Sequence, residues 1–291
     1  MMCPRCCGRD RTKQRGFCGA DNKVRIARVG LHRWEEPCIS YGKGSGTVFF
    51  SGCSLKCVFC QNYEISSGLG GRDIDPGELP DIFMRVRDMG AVNLNLVNPT
   101  HYGADIARAL EKVKDRLGIP VVYNTGGYDS VDTLGMFSGL VDIYLPDIKY
   151  YSSEHSMKYS GAKDYFEKAF SAVGEMFRQV GYPTFDMEGH MKSGVLIRHL
   201  VLPTLYRDSM AILDRLAENY DVSRLFVSIM RQYFPTHRAF EFSEISRKLT
   251  SLEYDKVTDH AVKLGIVNGY SQEKSSAKEE YVPDFDFDGK V

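Results

Sequence analysis

The chain has 291 residues, 43% hydrophobic and 26% charged, a globular balance able to bury one large core. A formal net charge of −1 argues against a general nucleic-acid binder or a membrane-surface binder. No stretch approaches the ~20 apolar residues of a membrane span, and the charged start MMCPRCCGRD lacks a signal peptide's apolar run, so a cytoplasmic protein is expected.

In chain order, residues 1–45 read as a cysteine-rich extension carrying Cys3, Cys6, Cys7, Cys18 and Cys38. All eight cysteines fall within the first 60 residues, a poor distribution for disulfides and a good one for metal sites in a reducing compartment. Residues 46–235 then alternate short apolar runs with longer amphipathic segments, the pattern of a parallel sheet with helical crossovers. Strands are expected at 46–52, 92–98, 120–124, 141–145, 195–202 and 225–230, and helices at 78–89, 104–117, 130–137, 163–180 and 209–219. Six such strands fit an α/β fold, a partial (β/α)6 TIM-like barrel. Residues 236–291 read as helices at 243–250 and 252–264 followed by a polar tail. The end of that tail interleaves Tyr281, Val282, Phe285 and Phe287 with Asp284, Asp286 and Asp288. Its aspartates lack an EF-hand's distal glutamate, so a tail docked on the barrel is the expectation.

In β/α barrels the active site lies at the C-terminal strand ends. The first such end carries Cys53, Cys57 and Cys60 in GCSLKCVFCQN, a C-x3-C-x2-C spacing. Three thiolates for the four irons of a [4Fe–4S] cluster leave one iron open to something other than protein. A zinc knot with a distant fourth ligand and a non-catalytic electron-transfer or metal-sensing cluster are the alternatives. The fourth strand end carries Asp147 and Lys149, two apart and on one side if the strand continues, a pair of no use to an electron carrier.

The cysteine spacing, with Phe59 directly before the third cysteine, resembles the radical S-adenosylmethionine superfamily. Its members use the open iron to bind the amine and carboxylate of S-adenosylmethionine and cleave it to a 5'-deoxyadenosyl radical that abstracts hydrogen. The stretches CPRCC, RGFCG, LHRWEEPCIS, GSGTVFFSGCSLKCVFCQNYEIS, NLVNPTHY, YNTGGYDS, VDIYLPDIKYY, RQVG, IRHLVLP and VPDFDFDG are similar to a branch near pyruvate formate-lyase activating enzyme that has an extra N-terminal cysteine motif.

The resemblance implies that Cys53, Cys57 and Cys60 ligate the cluster beside Phe59, and that Asp147 and Lys149 contact the amino and carboxylate ends of the cofactor. It implies a basic position near the ribose or carboxylate at Arg198, with a rim pair of Arg198 and His199 as the plain structural alternative. Many members carry GGE at the second strand end; here Asn98, Pro99 and Thr100 stand instead, so Asn98 and Thr100 take that cofactor-binding role by position alone. His101, Tyr102, Tyr128 and Tyr151 are positional candidates for facing the substrate.

Cys3, Cys7, Cys18 and Cys38 would together make a four-thiolate site, holding zinc as a structural knot or a second iron–sulfur cluster as a relay. Relatives carry a further cysteine upstream of C-P-R-x-C, so an unfilled site is the other reading. The implied partners are an unknown substrate, a glycyl-radical enzyme among the candidates, and an electron donor such as flavodoxin or ferredoxin.

Overall fold

The computed structural model describes residues 2–272 and Phe285. The chain enters the sheet at β1 (Val24–His32), which runs antiparallel to β2 (Ser45–Phe50) with His32 opposite Ser45 and Ile26 opposite Phe50. All six residues of β2 are buried, as expected of a strand covered on both faces. A short helix α1 (Tyr63–Ser66) and β3 (Arg72–Ile74) follow, β3 pairing antiparallel with β1.

The repeating unit then takes over: α2 (Leu79–Asp88), β4 (Leu94–Val97), α3 (Gly103–Leu117), β5 (Val121–Thr125), α4 (Val131–Gly135) and β6 (Ile143–Pro146). Helix α3 shows why these segments fold as they do. Ile106, Leu110, Val113 and Leu117 recur on one buried face, and Gly118 ends the helix in the left-handed conformation. Helices α5 (Ser153–Ser160) and α6 (Tyr165–Val180) precede β7 (Thr184–Phe185), β8 (Met191–Val195) and β9 (Ile197–Leu200). The chain continues through α7 (Tyr206–Asn219), β10 (Val227–Met230), α8 (Ser251–Lys263) and β11 (Gly269–Ser271).

Strands β2, β4, β5, β6 and β8 are parallel neighbours, while β9, β10 and β11 form a second parallel run. A bridge between Asp147 and Arg198 joins the two runs. The fold is therefore α/β with a mostly parallel sheet, consistent with a partial barrel. The fifth expected strand, 195–202, is broken: β8 pairs with β6 up to Val195, and beyond Leu196 the chain turns its ladder to β10.

Three sequence expectations change. The boundary at residue 45 falls inside the β1–β2 hairpin, so β1 is part of the sheet. The segment 243–250 is a run of turns rather than a helix. Its last residues are bound to the α8 cap, because Glu253 accepts from the backbone and hydroxyl of Thr250 and pairs with Arg247. Helix α5 was not expected; Ser152 caps it by accepting from the backbone N–H of Glu154 and His155.

The tail residues other than Phe285 lie outside the described residues. Phe285 itself is buried against Ala27, Phe49 and Ile65. Among the described residues no helix is long and apolar enough to cross a membrane.

Candidate active site

The cysteine loop begins where β2 runs out. Gly52 sits at a φ of +93°, and a side chain there would lie 2.6 Å from the Cys18 carbonyl and 3.1 Å from the His101 ring. The loop is then fastened on several sides. Cys53 N–H donates to Cys18 O at 2.9 Å, Val58 N–H to Tyr159 O at 2.8 Å, and Arg238 N–H to Val58 O at 2.8 Å. The Ser160 hydroxyl donates to the Cys57 sulfur at 2.9 Å and meets the Tyr150 hydroxyl at 2.8 Å.

Cys53, Cys57 and Cys60 line a cavity of about 660 Å³ together with Phe59, Asn98, Asp147, Lys149 and Arg198. Phe59 packs edge-on against Tyr150 and Tyr233. Burial, helped by the neighbouring thiols, pushes Cys53 up to about 12 and Cys60 to about 11, and burial also raises Cys57. These thiols keep their protons at neutral pH until a cation replaces them.

Cys53, Cys57 and Cys60 are free thiols on one short loop, and an all-cysteine set suits a polynuclear iron–sulfur cluster, whose sulfurs attach to different irons. Asp186, Glu188 and His190 form a compact group of possible metal ligands elsewhere, on the turn between β7 and β8.

Next along the cavity is a chain of buried charges. Lys149 Nζ meets Asp147 Oδ2 at 2.5 Å, and Arg198 Nε donates to Asp147 Oδ1 at 2.9 Å. Arg198 also donates to Asn124 Oδ1 at 2.6 Å and to Glu35 Oε2 at 3.0 Å. Burial works against ionised Asp147, but Lys149 and Arg198 outweigh it and hold the carboxyl below its usual range. Lys149 is likewise raised despite burial, by Asp147 and by the thiolate form of Cys57.

Glu35 and Glu36 were not singled out in the sequence. They lie on the β1–β2 connection between Trp34 and Pro37, within the stretch LHRWEEPCIS. Both line the cavity and are pushed up by burial, with Arg198 opposing. A signal was present: Asn95 and Asn124 interrupt the apolar runs of β4 and β5, and both donate to Glu35 Oε1, at 3.2 and 3.1 Å.

Other expected residues fall elsewhere. Asn98 lines the cavity at a φ of +59° and donates to the Gly52 carbonyl. Thr100 does not line it: its hydroxyl donates to Asp129 at 2.6 Å, within a buried set that includes Tyr123 and Thr125. Nor does the neutral His101, pushed down to about 4 by burial, whose Nε2–H donates to Ser51 O at 2.7 Å. Tyr102 is buried against Phe50, Tyr128 donates to Asp164, and Tyr151 is on the surface, so none of these four substrate candidates borders the cavity. His199 is buried with Nδ1 on Ile148 O at 2.6 Å, a structural contact behind the strand that presents Arg198.

The N-terminal four-thiolate set is not assembled. Cys38 is packed with Ile39, Val122, Ile143, Leu145 and Met191, and Met191 N–H donates to its carbonyl. Cys18 instead adjoins the cysteine loop, and its thiol accepts from Arg11 at 3.5 Å. Cys38 thus belongs to a different packed cluster from Cys18, whose neighbour Cys3 also lies by Cys7.

A cysteine loop at the first parallel strand end and a charged cavity across from it define the class. The family profile described as Radical SAM superfamily matches residues 47–216, more than half of the chain, and the chain belongs to that family. It is 32% identical over 275 residues to the uncharacterized protein MJ0674 of Methanocaldococcus jannaschii, which covers 91% of this chain and 75% of that one. Among solved structures it is similar to Streptococcus suis SuiB bound to precursor peptide SuiA, with a TM-score of 0.50 and 16% identity over 72% of this chain and 44% of that one. SuiB bound to S-adenosylmethionine matches with a TM-score of 0.50 and 17% identity, over 78% and 47% of the two chains. These two likenesses are of fold, and the chain spans less than half the length of the solved SuiB chains. The family implies a [4Fe–4S] cluster and S-adenosylmethionine, and three free thiols lining one cavity with Asp147, Lys149 and Arg198 fit both.

Proposed function

We propose that the protein is a radical S-adenosylmethionine enzyme in which Cys53, Cys57 and Cys60 hold the cluster and Asp147, Lys149 and Arg198 orient the cofactor. The observation that carries this reading is the continuity of one cavity from the three thiols to the Lys149–Asp147–Arg198 chain. When bound, the cluster and cofactor would supply a 5'-deoxyadenosyl radical able to abstract hydrogen from a substrate. Lys149 presents a point charge suited to a carboxylate, while Asp147 accepts from an ammonium. Arg198 keeps Asp147 ionised and fixes its direction, and Phe59 with Tyr233 and Leu55 shields the thiol end from water.

The finer assignment comes from the sequence resemblance: an activating-enzyme-like protein, reduced by a flavodoxin or ferredoxin, that forms a glycyl radical on a partner enzyme. A glycyl Cα–H is weak enough for such abstraction. The unmatched polar groups at the Glu36 end of the cavity favour a second substrate class, an amine. A simple electron carrier or metal sensor would have no use for the buried charge chain. In the N-terminal segment, Cys3, Cys7 and Cys18 remain for a zinc or a second cluster, with a fourth ligand other than Cys38.

The test is anaerobic reconstitution with iron and sulfide, reduction, and measurement of 5'-deoxyadenosine formed from S-adenosylmethionine. Stoichiometric or greater product supports the enzyme; a full cluster with no cleavage refutes it. Zinc without sulfide in anaerobically purified protein would point instead to a scaffold.

A further inference from the structure

Glu35 and Glu36 are adjacent and both line the cavity, yet their carboxylates are used in opposite ways. Glu35 is saturated: one oxygen accepts from Asn95 and Asn124, the other from Arg198. Glu36 Oε2 is buried without a hydrogen bond and stands 4.0 Å from Arg198. The Ser228 hydroxyl on β10, only 1% exposed and lining the same cavity, faces the Glu36 carboxyl without closing a hydrogen bond to it. Asn95 Oδ1, behind Glu35, is a third buried acceptor in the same state. Three carboxylates, Glu35, Glu36 and Asp147, share this interior with two cations, Lys149 and Arg198.

Buried acceptors without donors, Glu36 Oε2 and Asn95 Oδ1, call for a compact donor, and a cationic one would let Glu36 ionise where burial otherwise favours its neutral form. An ammonium meets that need with three donors and no acceptor. The order along the cavity separates this place from the thiol end: Lys149 lies by Cys57, Asp147 follows, then Arg198, then the two glutamates. An amine held at Asp147 therefore leaves Glu36 still unmatched.

We propose that the inner end of the cavity is a subsite for the ammonium group of a small-molecule substrate, bound by Glu36 and the Ser228 hydroxyl. Glu35 is a positioning residue there, holding Arg198 so that Glu36 is not consumed by it. This deepens the enzyme reading above and rests on it for the identification of the ligand as a substrate.

The probe is n-butylammonium, with 1-butanol as its uncharged match, titrated calorimetrically into the anaerobically reconstituted protein loaded with S-adenosylmethionine. The ammonium binds and the alcohol does not; Glu36→Gln weakens binding at least tenfold, Ser228→Ala severalfold, and Glu188→Gln on the exposed turn leaves it unchanged. Should Glu36→Gln fail to fold, Ser228→Ala and protection of Glu36 from carbodiimide labelling by the ammonium carry the test. Equal binding of the alcohol, unaltered binding in both variants, or Glu36-dependent binding of Na⁺ or Mg²⁺ in place of the ammonium would overturn the proposal. So would binding confined to lysine-bearing polypeptides. Deoxyadenosine formation is measured on the same preparation: cleavage without ammonium binding sinks the subsite alone, and ammonium binding without cleavage sinks the catalytic reading alone.

Discussion

The molecule carries two cysteine sets that look alike in sequence and differ in their setting. Cys53, Cys57 and Cys60 sit on a loop pinned to Tyr159, Ser160 and Arg238, beside a cavity with fixed charges. Cys3, Cys7 and Cys18 lie in a segment without helix or strand, where Cys3 and Cys18 are buried and Cys7 is exposed. Their thiols also diverge. Burial raises Cys3, whereas backbone N–H groups of Phe17 and Arg9 lower Cys7. A metal site able to do chemistry needs a rigid second layer as well as ligands: the strand-end set has Ser160 on the Cys57 sulfur beside a charged cavity, whereas the N-terminal set has Arg11 on the Cys18 sulfur and an exposed Cys7.

The largest contrast comes from deleting a thiol. Cys57→Ala should remove the loop cluster's iron and sulfide and abolish cofactor cleavage, whereas Cys38→Ala, in an apolar pack, should leave metal content unchanged. Metal analysis of both variants decides it, and loss of iron in Cys38→Ala would restore the four-thiolate reading.

Asp147→Asn comes next. It leaves Lys149 and Arg198 buried without their shared counter-charge, a loss of roughly 3–5 kcal/mol for a broken buried pair. Apo stability by denaturant titration should fall by that order, and cofactor binding should weaken by ten- to a hundredfold.

A pH series gives a smaller effect. Cys53 and Cys60 titrate near 12 and 11 in the fold against 9.0 for an ordinary thiol. Because these values are raised, the apo protein's stability is full below about pH 9 and declines as pH rises toward 11–12. Cys60→Ser should flatten part of that decline, and cluster loading should release protons measurable in weak buffer.

The smallest change is Thr100→Val. Its hydroxyl serves Asp129 and not the cavity, so stability should drop by about 1–3 kcal/mol with cofactor affinity unchanged. A lost affinity would return Thr100 to the cofactor site.

Most of the barrel was legible because its parallel strands are buried apolar runs, such as GTVFFSG and VVYNT, separated by amphipathic helices. Strand β1 was not, since Arg25 and Arg28 with a register shift between Ile26 and Arg28 obscure its alternation. The break at Leu196 was invisible too, for the residues are apolar on both sides and only the ladder partner changes. In the site, Cys53, Cys57, Cys60, Asp147 and Lys149 could be named from spacing and resemblance. Glu35 and Glu36 could not, because nothing local says that a loop beyond an antiparallel strand reaches into the barrel. Thr100 and His101 failed in the opposite sense: they follow a strand end but turn back under it, toward Asp129 and Ser51.

The central claim is that the three thiols and the charge chain form one cofactor site. The most direct measurement is the spectrum of the anaerobically reconstituted, reduced cluster before and after S-adenosylmethionine is added, in the wild type and in Lys149→Ala. A shift in the wild type, lost or strongly weakened in the variant, is the predicted result; no shift in the wild type, or the same affinity in both, would contradict it.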